Sequence, residues 1–271
     1  MKYDTIELKE IVEKNVKKHV LSNQKNQKTK YRDPIIGFST ATDPLYLHLK
    51  EITIPHHYLP QDLLKNAKTV ISIFLPFSEE IIQGNSITEN SSKAWAIGYT
   101  ETNELLDSLS RDLADELQKM GYPSISIKTT HHLSHAKKEY YAYEELFDKW
   151  SQKHVGYISG IGKFGLNNLI ITVRGCAGRL GSLVTSAEIE ITQRDTDSPE
   201  YCLVKRGEFC YKCIDNCPVK VMTSDGKFDR VGCMNYLVKQ RKYQESVYGM
   251  KEGTQTCGKC SVNIPCASRI P

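Results

Sequence analysis

The chain has 271 residues, 39% hydrophobic and 25% charged, proportions of a globular protein long enough for one large domain and a small one. Its formal net charge of +4 does not require a nucleic-acid partner. No stretch approaches the roughly 18 consecutive apolar residues of a transmembrane helix. The opening MKYDTIELKEIVEK carries no apolar signal segment, so a reducing, cytoplasmic location with no membrane association is expected.

Ile6, Ile11, Val12, Val16 and Val20 recur near helical period, predicting an amphipathic helix over 5–21. The basic run Lys14, Lys17, Lys18, Lys25, Lys28, Lys30 and Arg32 reads as a solvated helix face and a polar loop, with an anionic partner as the alternative. Thr69–Phe77 is nearly all apolar and ends at a proline, as a strand buried on both faces does. Residues 103–120 place Leu105, Leu106, Leu109, Leu113 and Leu117 on one helical stripe, with Gly121 set to cap it. Ser124–Thr130 alternates like a strand, 137–159 reads as a second long helix, and Leu169–Val173 and Leu183–Ile191 as further strands. The expected fold is α+β: a sheet flanked by helices over 1–192, then a cysteine-rich unit over 193–271 that needs metal to hold together. The polar stretch QRDTDSPE (193–200) joins them.

Eight of the nine cysteines lie in that second unit. Cys210-x2-Cys213-x3-Cys217-Pro218 is most of the bacterial ferredoxin motif, in which the cysteine before proline ligates the other cluster. Two cysteines separated by two residues wrap one turn and reach two irons of one cubane. Pro218 then stops the turn from continuing as helix. Eight thiolates suit two [4Fe–4S] clusters, assigned as Cys202, Cys210, Cys213 and Cys266 for the first, and Cys217, Cys233, Cys257 and Cys260 for the second. Gly207 stands where the standard run has cysteine, so Cys202 must reach in through a longer loop. Two zinc sites are the alternative. Cys176 stands apart and reads as a small buried hydrophobe.

Gly160-Ile-Gly162-Lys163-Phe-Gly165 matches G-x-G-x-x-G. A dinucleotide fingerprint requires a strand before it and a helix after it, whereas here the predicted order is reversed. The glycines read instead as close backbone approach to a flat ligand, or as tight turns. His131, His132 and His135 follow a strand in a predicted loop, without a third defined ligand. Tyr140, Tyr141 and Tyr143 read as packing residues.

The segment WSQKHVGYISGIGKFGLNNLIITVRGCAGRLGSLVTS (150–186), with YCLVKRGEFCYKCIDNCPVKVM and TCGKCSVNIPCASRIP, resembles the epoxyqueuosine reductase-like iron–sulfur proteins, related to reductive dehalogenases and in particular their short members common in anaerobes. HHYLPQDLLKNAKTVISIFLPF and YTETNELLDSLSRDLADEL agree, so the likeness covers most of 56–271. It implies a nitroreductase-like domain joined to a two-cluster ferredoxin-like domain. It also implies a cobalamin facing Gly160, Gly162, Lys163, Gly165, Asn167, Arg179 and Ser182, with FMN as the other candidate cofactor. Those reductases use the aspartate of an Asp-Tyr-His as proton donor. Glu101-Thr102-Asn103 aligns there, making Glu101 the candidate acid, or else an acid favoured by a helix N-terminus.

Two functions follow. One is an iron–sulfur oxidoreductase, fed by a ferredoxin- or flavodoxin-type donor, that reduces a small molecule or a corrinoid protein. The other is an electron-transfer or corrinoid-activating protein with no substrate of its own. Because the sequence stops at Pro271, with no helical-repeat region to grip it, tRNA is expected not to be a substrate.

Overall fold

The computed structural model describes residues 3–129, 149–251 and 254–271. His131, His132, His135, Tyr140, Tyr141 and Tyr143 lie outside the described residues, as does most of the predicted helix 137–159.

Helix α1 (Thr5–Asn23) begins with a capping box. Asp4 Oδ1 accepts from the backbone N–H of Ile6 (2.9 Å) and Glu7 (2.8 Å), and Glu7 Oε2 accepts from Asp4 N (2.9 Å). Its buried stripe is Leu8, Val12, Val16 and Val20, a strict four-residue spacing. Ile6, expected in that stripe, is 54% exposed.

Strands β1 (Ile35–Thr40), β2 (Thr69–Pro76), β3 (Ser124–Ile127) and β6 (Gly178–Thr185) form one sheet in the order β1-β2-β6-β3. All three pairings are antiparallel. Strand β2 lies inside the sheet and all its residues are buried, as its nearly all-apolar run predicted. Its alternate side chains divide between two layers. Ile71, Ile73 and Leu75 join Leu183 of β6 and the leucines of α5 (Lys93–Lys119) in one core. Val70 and Val184 face the other way, onto Tyr46 and Leu49 of α2 (Leu45–Ile52) and Val155 and Ile158 of α6 (Gln152–Ile158). Short helices α3 (Pro60–Leu63) and α4 (Glu79–Ser86) flank β2 in sequence.

The α+β class and the helix-flanked sheet agree with expectation; several boundaries move. Helix α5 starts ten residues before the predicted 103, capped by Ser92 Oγ, which accepts from Trp95 N at 3.2 Å. Glu101 therefore sits two turns inside the helix and gains nothing from its dipole. Strand β6 is displaced toward the N-terminus of the predicted 183–191, because pairing with β2 runs back to Gly178. The predicted helix 137–159 does not run unbroken: residues 149–151 are non-helical and α6 starts at Gln152.

Strands β4 (Gly162–Phe164) and β5 (Ile170–Thr172) form a separate hairpin. Residues 193–200 carry no regular structure. Beyond them lie a 3-10 turn at Val204–Arg206, helix α7 (Lys212–Asp215), helix α8 (Arg230–Tyr248) and a 3-10 turn at Lys259–Ser261. Val221, Met222, Val262, Ile264 and Ala267 of this region are buried in the same core as the α5 face of the sheet.

Candidate metal centre and adjoining clefts

Tight turns and helix starts carry the cysteines. After Cys202 a 3-10 turn ends at Gly207, whose φ is +83°. That left-handed turn brings Cys210 to the start of α7, which carries Cys213. The turn closes where Cys217 N donates to Ile214 O at 3.1 Å, just before Pro218. Cys233 lies near the start of α8, and Cys257 and Cys260 bracket Gly258.

Cys202, Cys210, Cys213 and Cys266 line one cavity, closed on the sheet side by Gly165, Leu166 and Asn167. Burial, followed by Cys266, Cys202 and Cys210, pushes the Cys213 thiol up to about 12. Burial, followed by Cys257 and Cys217, pushes Cys233 up to about 11. Cys260 is raised by burial and then by Cys257, Cys233 and Cys217, and least by Cys213. The thiols thus fall into two neighbouring groups. Among the described residues no three potential ligands converge on a point that could hold a single metal ion. A cubane needs no such convergence, since each thiolate binds a different iron. Thiols held this high release protons when metal binds.

The sheet-bearing part of the chain grips both groups. Asn167 Nδ2 donates to Cys260 O at 2.9 Å, and lies 3.6 Å from the Sγ of buried Cys176. Cys176 N donates to Cys266 O (2.9 Å) and Ala177 N to Ala267 O (3.0 Å). Gly175 makes this approach possible: its φ is +75°, and a β-carbon there would fall 2.5 Å from the Ala267 carbonyl carbon. On the second group, Asn85 Nδ2 donates to Cys257 O (2.9 Å), Trp95 Nε1 to Thr256 Oγ1 (3.0 Å) and buried Lys259 Nζ to Asn85 O (2.6 Å).

One cleft adjoins the cysteine cavity, and a second adjoins that cleft. The first, of about 410 Å³, is walled by Leu45, Leu49 and Ile52 of α2, by His154, Tyr157 and Ile158 of α6, and by Phe164, Leu166 and Phe228. It shares Gly165 and Leu166 with the cavity of the first cysteine group. His154 Nδ1 lies 2.7 Å from Ser151 Oγ, and burial followed by Lys153 lowers its pKa to about 3, so the ring is neutral. Burial followed by Arg230 lowers Lys153 to about 7, while Cys233 and Cys260 oppose the shift. The second cleft, about 330 Å³, holds Gly160, Gly162, Lys163, Arg194, Asp195 and Tyr201 and shares Tyr157, Phe164 and Lys205 with the first.

The seven residues predicted to face a corrin ring do not make one surface. Gly160, Gly162 and Lys163 line the second cleft, where Lys163 Nζ donates to Ser198 O at 2.6 Å. Gly162 also has a packing role, since a β-carbon there would fall 2.8 Å from the Ile171 carbonyl carbon. Gly165 and Asn167 line the cysteine cavity. Ser182 is buried within the sheet, accepting from Trp150 Nε1 at 3.0 Å and donating to Gln152 Oε1 at 2.7 Å. Arg179 lies against α5, its Nε donating to Asn103 Oδ1 at 2.6 Å and its guanidinium 4.2 Å from the Tyr99 ring centre. Glu101 accepts from Lys28 N (3.2 Å), Thr29 N (2.8 Å) and Thr29 Oγ1 (2.5 Å), which ties down the connection between α1 and β1. Sequence reasoning missed Asn85 and Trp95, because each holds a cysteine-bearing segment more than 75 positions away.

No family profile matches the chain. It is 25% identical over 255 residues to an epoxyqueuosine reductase of Lactococcus garvieae, an alignment covering 85% of this chain and 64% of that protein. The structure of epoxyqueuosine reductase from Streptococcus thermophilus superposes with a TM-score of 0.55 at 21% identity, covering 93% of this chain and 66% of that one. A reductive dehalogenase structure, presented with a mechanism for B12-dependent dehalogenation, gives a TM-score of 0.55 at 15% identity over 83% of this chain and 28% of that one. The chain thus spans slightly less than two thirds of the epoxyqueuosine reductases it matches. One expectation is corrected. An epoxyqueuosine reductase solved with an epoxyqueuosine-modified tRNA stem loop matches 94% of this chain, with a TM-score of 0.53 at 17% identity. The argument against tRNA from the position of Pro271 does not stand, because nearly the whole chain corresponds to part of a tRNA-bound protein. No helix among the described residues is long and apolar enough to cross a membrane. The chain is similar to the epoxyqueuosine reductases in sequence and fold, and to the reductive dehalogenases in fold.

Proposed function

We propose that the chain is an iron–sulfur oxidoreductase carrying two [4Fe–4S] clusters, one on Cys202, Cys210, Cys213 and Cys266, the other on Cys217, Cys233, Cys257 and Cys260. The observation that carries this reading is the grouping of the thiols: four line one cavity, and the remaining four influence each other. The grouping matches the crossed pattern of two-cluster ferredoxins. Residues 1–192 form the domain that receives electrons, and residues 193–271 the domain that supplies them. A corrinoid is the organic cofactor best supported by the relatives, and when bound it would supply a metal centre reducible by the clusters. The residues first assigned to it do not form a single cradle, so no step is derived through it. The apolar cleft beside Gly165 and Leu166 is the proposed ligand site, because it shares those two residues with the cavity of the first cysteine group.

Anaerobic purification should yield about eight irons per chain with cubane absorption; zinc, or about four irons, sinks the assignment. Titration with cob(II)alamin, followed by electron paramagnetic resonance, should change the cobalt signal, and an unchanged signal at high protein concentration removes the corrinoid. The first substrate to offer is an epoxyqueuosine-bearing tRNA stem loop, by analogy with the tRNA-bound relative. The second reading, an electron-transfer protein without its own substrate, is favoured by the engagement of Glu101 in three hydrogen bonds to residues 28 and 29. No turnover of the stem loop, with electrons still passed to an added corrinoid protein, would select it.

A further inference from the structure

Among the described residues of 193–271, three large apolar side chains are exposed: Phe209 (90%), Val219 (38%) and Val247 (57%). Two of them flank the run Cys210-x2-Cys213-x3-Cys217. Phe209 immediately precedes Cys210, and Val219 follows Cys217 by two positions. The turn at Gly207 leaves Glu208 and Phe209 in solvent. Phe209 meets the ring of Tyr211 edge-on, with ring centres 5.3 Å apart. Two aromatic rings thus bracket Cys210, which is itself only half-buried.

One sign of charge dominates around this patch. Lys205, Lys212 and Lys220 are exposed. Glu208 is matched by Arg206 at 2.8 Å, which leaves Asp215 as the acid of 205–220 with no ion pair among the described residues. Lys220 Nζ donates to the carbonyls of Asp215 (2.6 Å) and Ile214 (3.3 Å), so its charge sits at the end of α7. Tyr211 caps the other end of this four-residue helix, ~6 Å away. The aromatic pair and the lysine charges therefore share one short edge, on the segment that carries Cys210, Cys213 and Cys217.

A single exposed apolar side chain is common on protein surfaces. Here the exposed ring adjoins a thiol that the proposed function assigns to a cluster. Electron transfer weakens steeply with distance, so a protein that passes electrons to a cluster must dock over its ligands. Such complexes are small and short-lived, and complementary charge speeds their formation. A basic edge centred on one aromatic pair suits that kind of contact and offers too little apolar surface for a permanent subunit. Aromatic rings with lysines also suit stacked bases, but only a redox partner has to sit over the thiols.

We propose that Phe209, Tyr211 and the lysines around α7 form the docking surface for the electron donor, a small low-potential redox protein with an acidic face. The inference rests on the iron–sulfur reading above and adds where electrons enter. One electron leaves the donor's reduced centre and reduces one oxidised cluster; no bond is made or broken in the encounter. The path onward is short, because the cavity that Cys210 lines shares Gly165 and Leu166 with the proposed ligand cleft.

The test is anaerobic stopped-flow reduction of the full, iron-loaded chain by an acidic flavodoxin in its hydroquinone form, read from the flavin semiquinone that appears. Photoreduced deazariboflavin, a small uncharged reductant that needs no docking, is the control. Phe209→Ala and Lys212→Glu should each keep the wild-type iron content and deazariboflavin rate. Each should lower the second-order rate constant with flavodoxin about tenfold. The wild-type rate should fall as salt rises, and that of Lys212→Glu should fall less. Unchanged flavodoxin rates in both iron-loaded variants overturn the inference alone. So does a wild-type chain that deazariboflavin reduces and flavodoxin does not. Weaker binding of an epoxyqueuosine-bearing stem loop by the variants, with the flavodoxin rate unchanged, also overturns it and gives the patch to nucleic acid. A wild-type chain that takes up no iron, or whose clusters neither reductant reduces, overturns the proposed function and this inference together.

Discussion

Replacing Gly258 with alanine tests how the second cysteine group is held. Gly258 sits between Cys257 and Cys260 at a φ of +72°. A β-carbon there would fall 2.5 Å from Trp95 Nε1 and closer still to two indole carbons. A non-glycine residue in the left-handed region costs about 2 kcal/mol, and forcing a carbon into a packed site about 2 more. The stiffer unfolded chain offsets up to ~1 kcal/mol. The net expectation is a loss of about 3 kcal/mol, a fall of roughly 6–12 °C in Tm for a chain near this size. The ring cannot give way without breaking the Trp95 Nε1 hydrogen bond to Thr256 Oγ1. The backbone should yield instead and carry Cys257 and Cys260 with it. Iron per chain after anaerobic gel filtration should fall from about eight to about four. In the background of Trp95→Ala the steric part should vanish, leaving a coupling of about 2 kcal/mol between the two substitutions. Full iron and an unchanged Tm in Gly258→Ala, or strict additivity in the double variant, would refute the reasoning.

Glu101→Gln should lower stability to denaturant by about 1–2 kcal/mol, because an amide cannot accept all three donors of residues 28 and 29; an unchanged midpoint would remove its structural role. Burial, then Lys153, holds His154 at about 3 against an ordinary 6.5. Between those values the unfolded chain binds a proton that the native state does not, so His154 makes stability fall as pH drops below 6.5. The slope is about 1.4 kcal/mol per pH unit, or about 2 kcal/mol by pH 5. His154→Phe should flatten the unfolding-versus-pH curve in that window, and an identical slope would contradict the assignment. Cys176→Ala should leave the iron content of the anaerobic protein unchanged, whereas a loss would place Cys176 among the ligands.

Helices α1 and α5 and strand β2 were legible because their signals are local. Apolar residues recur at four-residue spacing along α1 and as a leucine stripe along α5, and β2 is a nearly all-apolar run. Helix α8 gave no such signal. Its buried positions include Gln240 and Gln244, which work by hydrogen bonds rather than by an apolar stripe. Gln240 Oε1 accepts from Ser91 N at 3.0 Å, and Gln244 Nε2 donates to Thr256 O at 2.6 Å. The extra turns of α5 were missed because Lys93–Thr102 shows no stripe of its own before packing supplies one. The resemblance pointed to the right relatives, but the residues carried over from it to a corrin site are dispersed by the fold.

The amino-acid sequence alone determined the density and spacing of the cysteines, and with them the expectation of two four-thiolate groups. Such spacing is a property of short segments that wrap a single turn, so little of the rest of the chain is needed to read it. Only the tertiary structure decided what surrounds those thiols. Asn85, Trp95, Asn167 and Gly175 reach the segments that carry them from distant positions, through hydrogen bonds and close backbone approaches that linear order does not encode. It also decided that Glu101 is a brace for residues 28 and 29, because the helix that carries it starts at Lys93 and lies beside that turn.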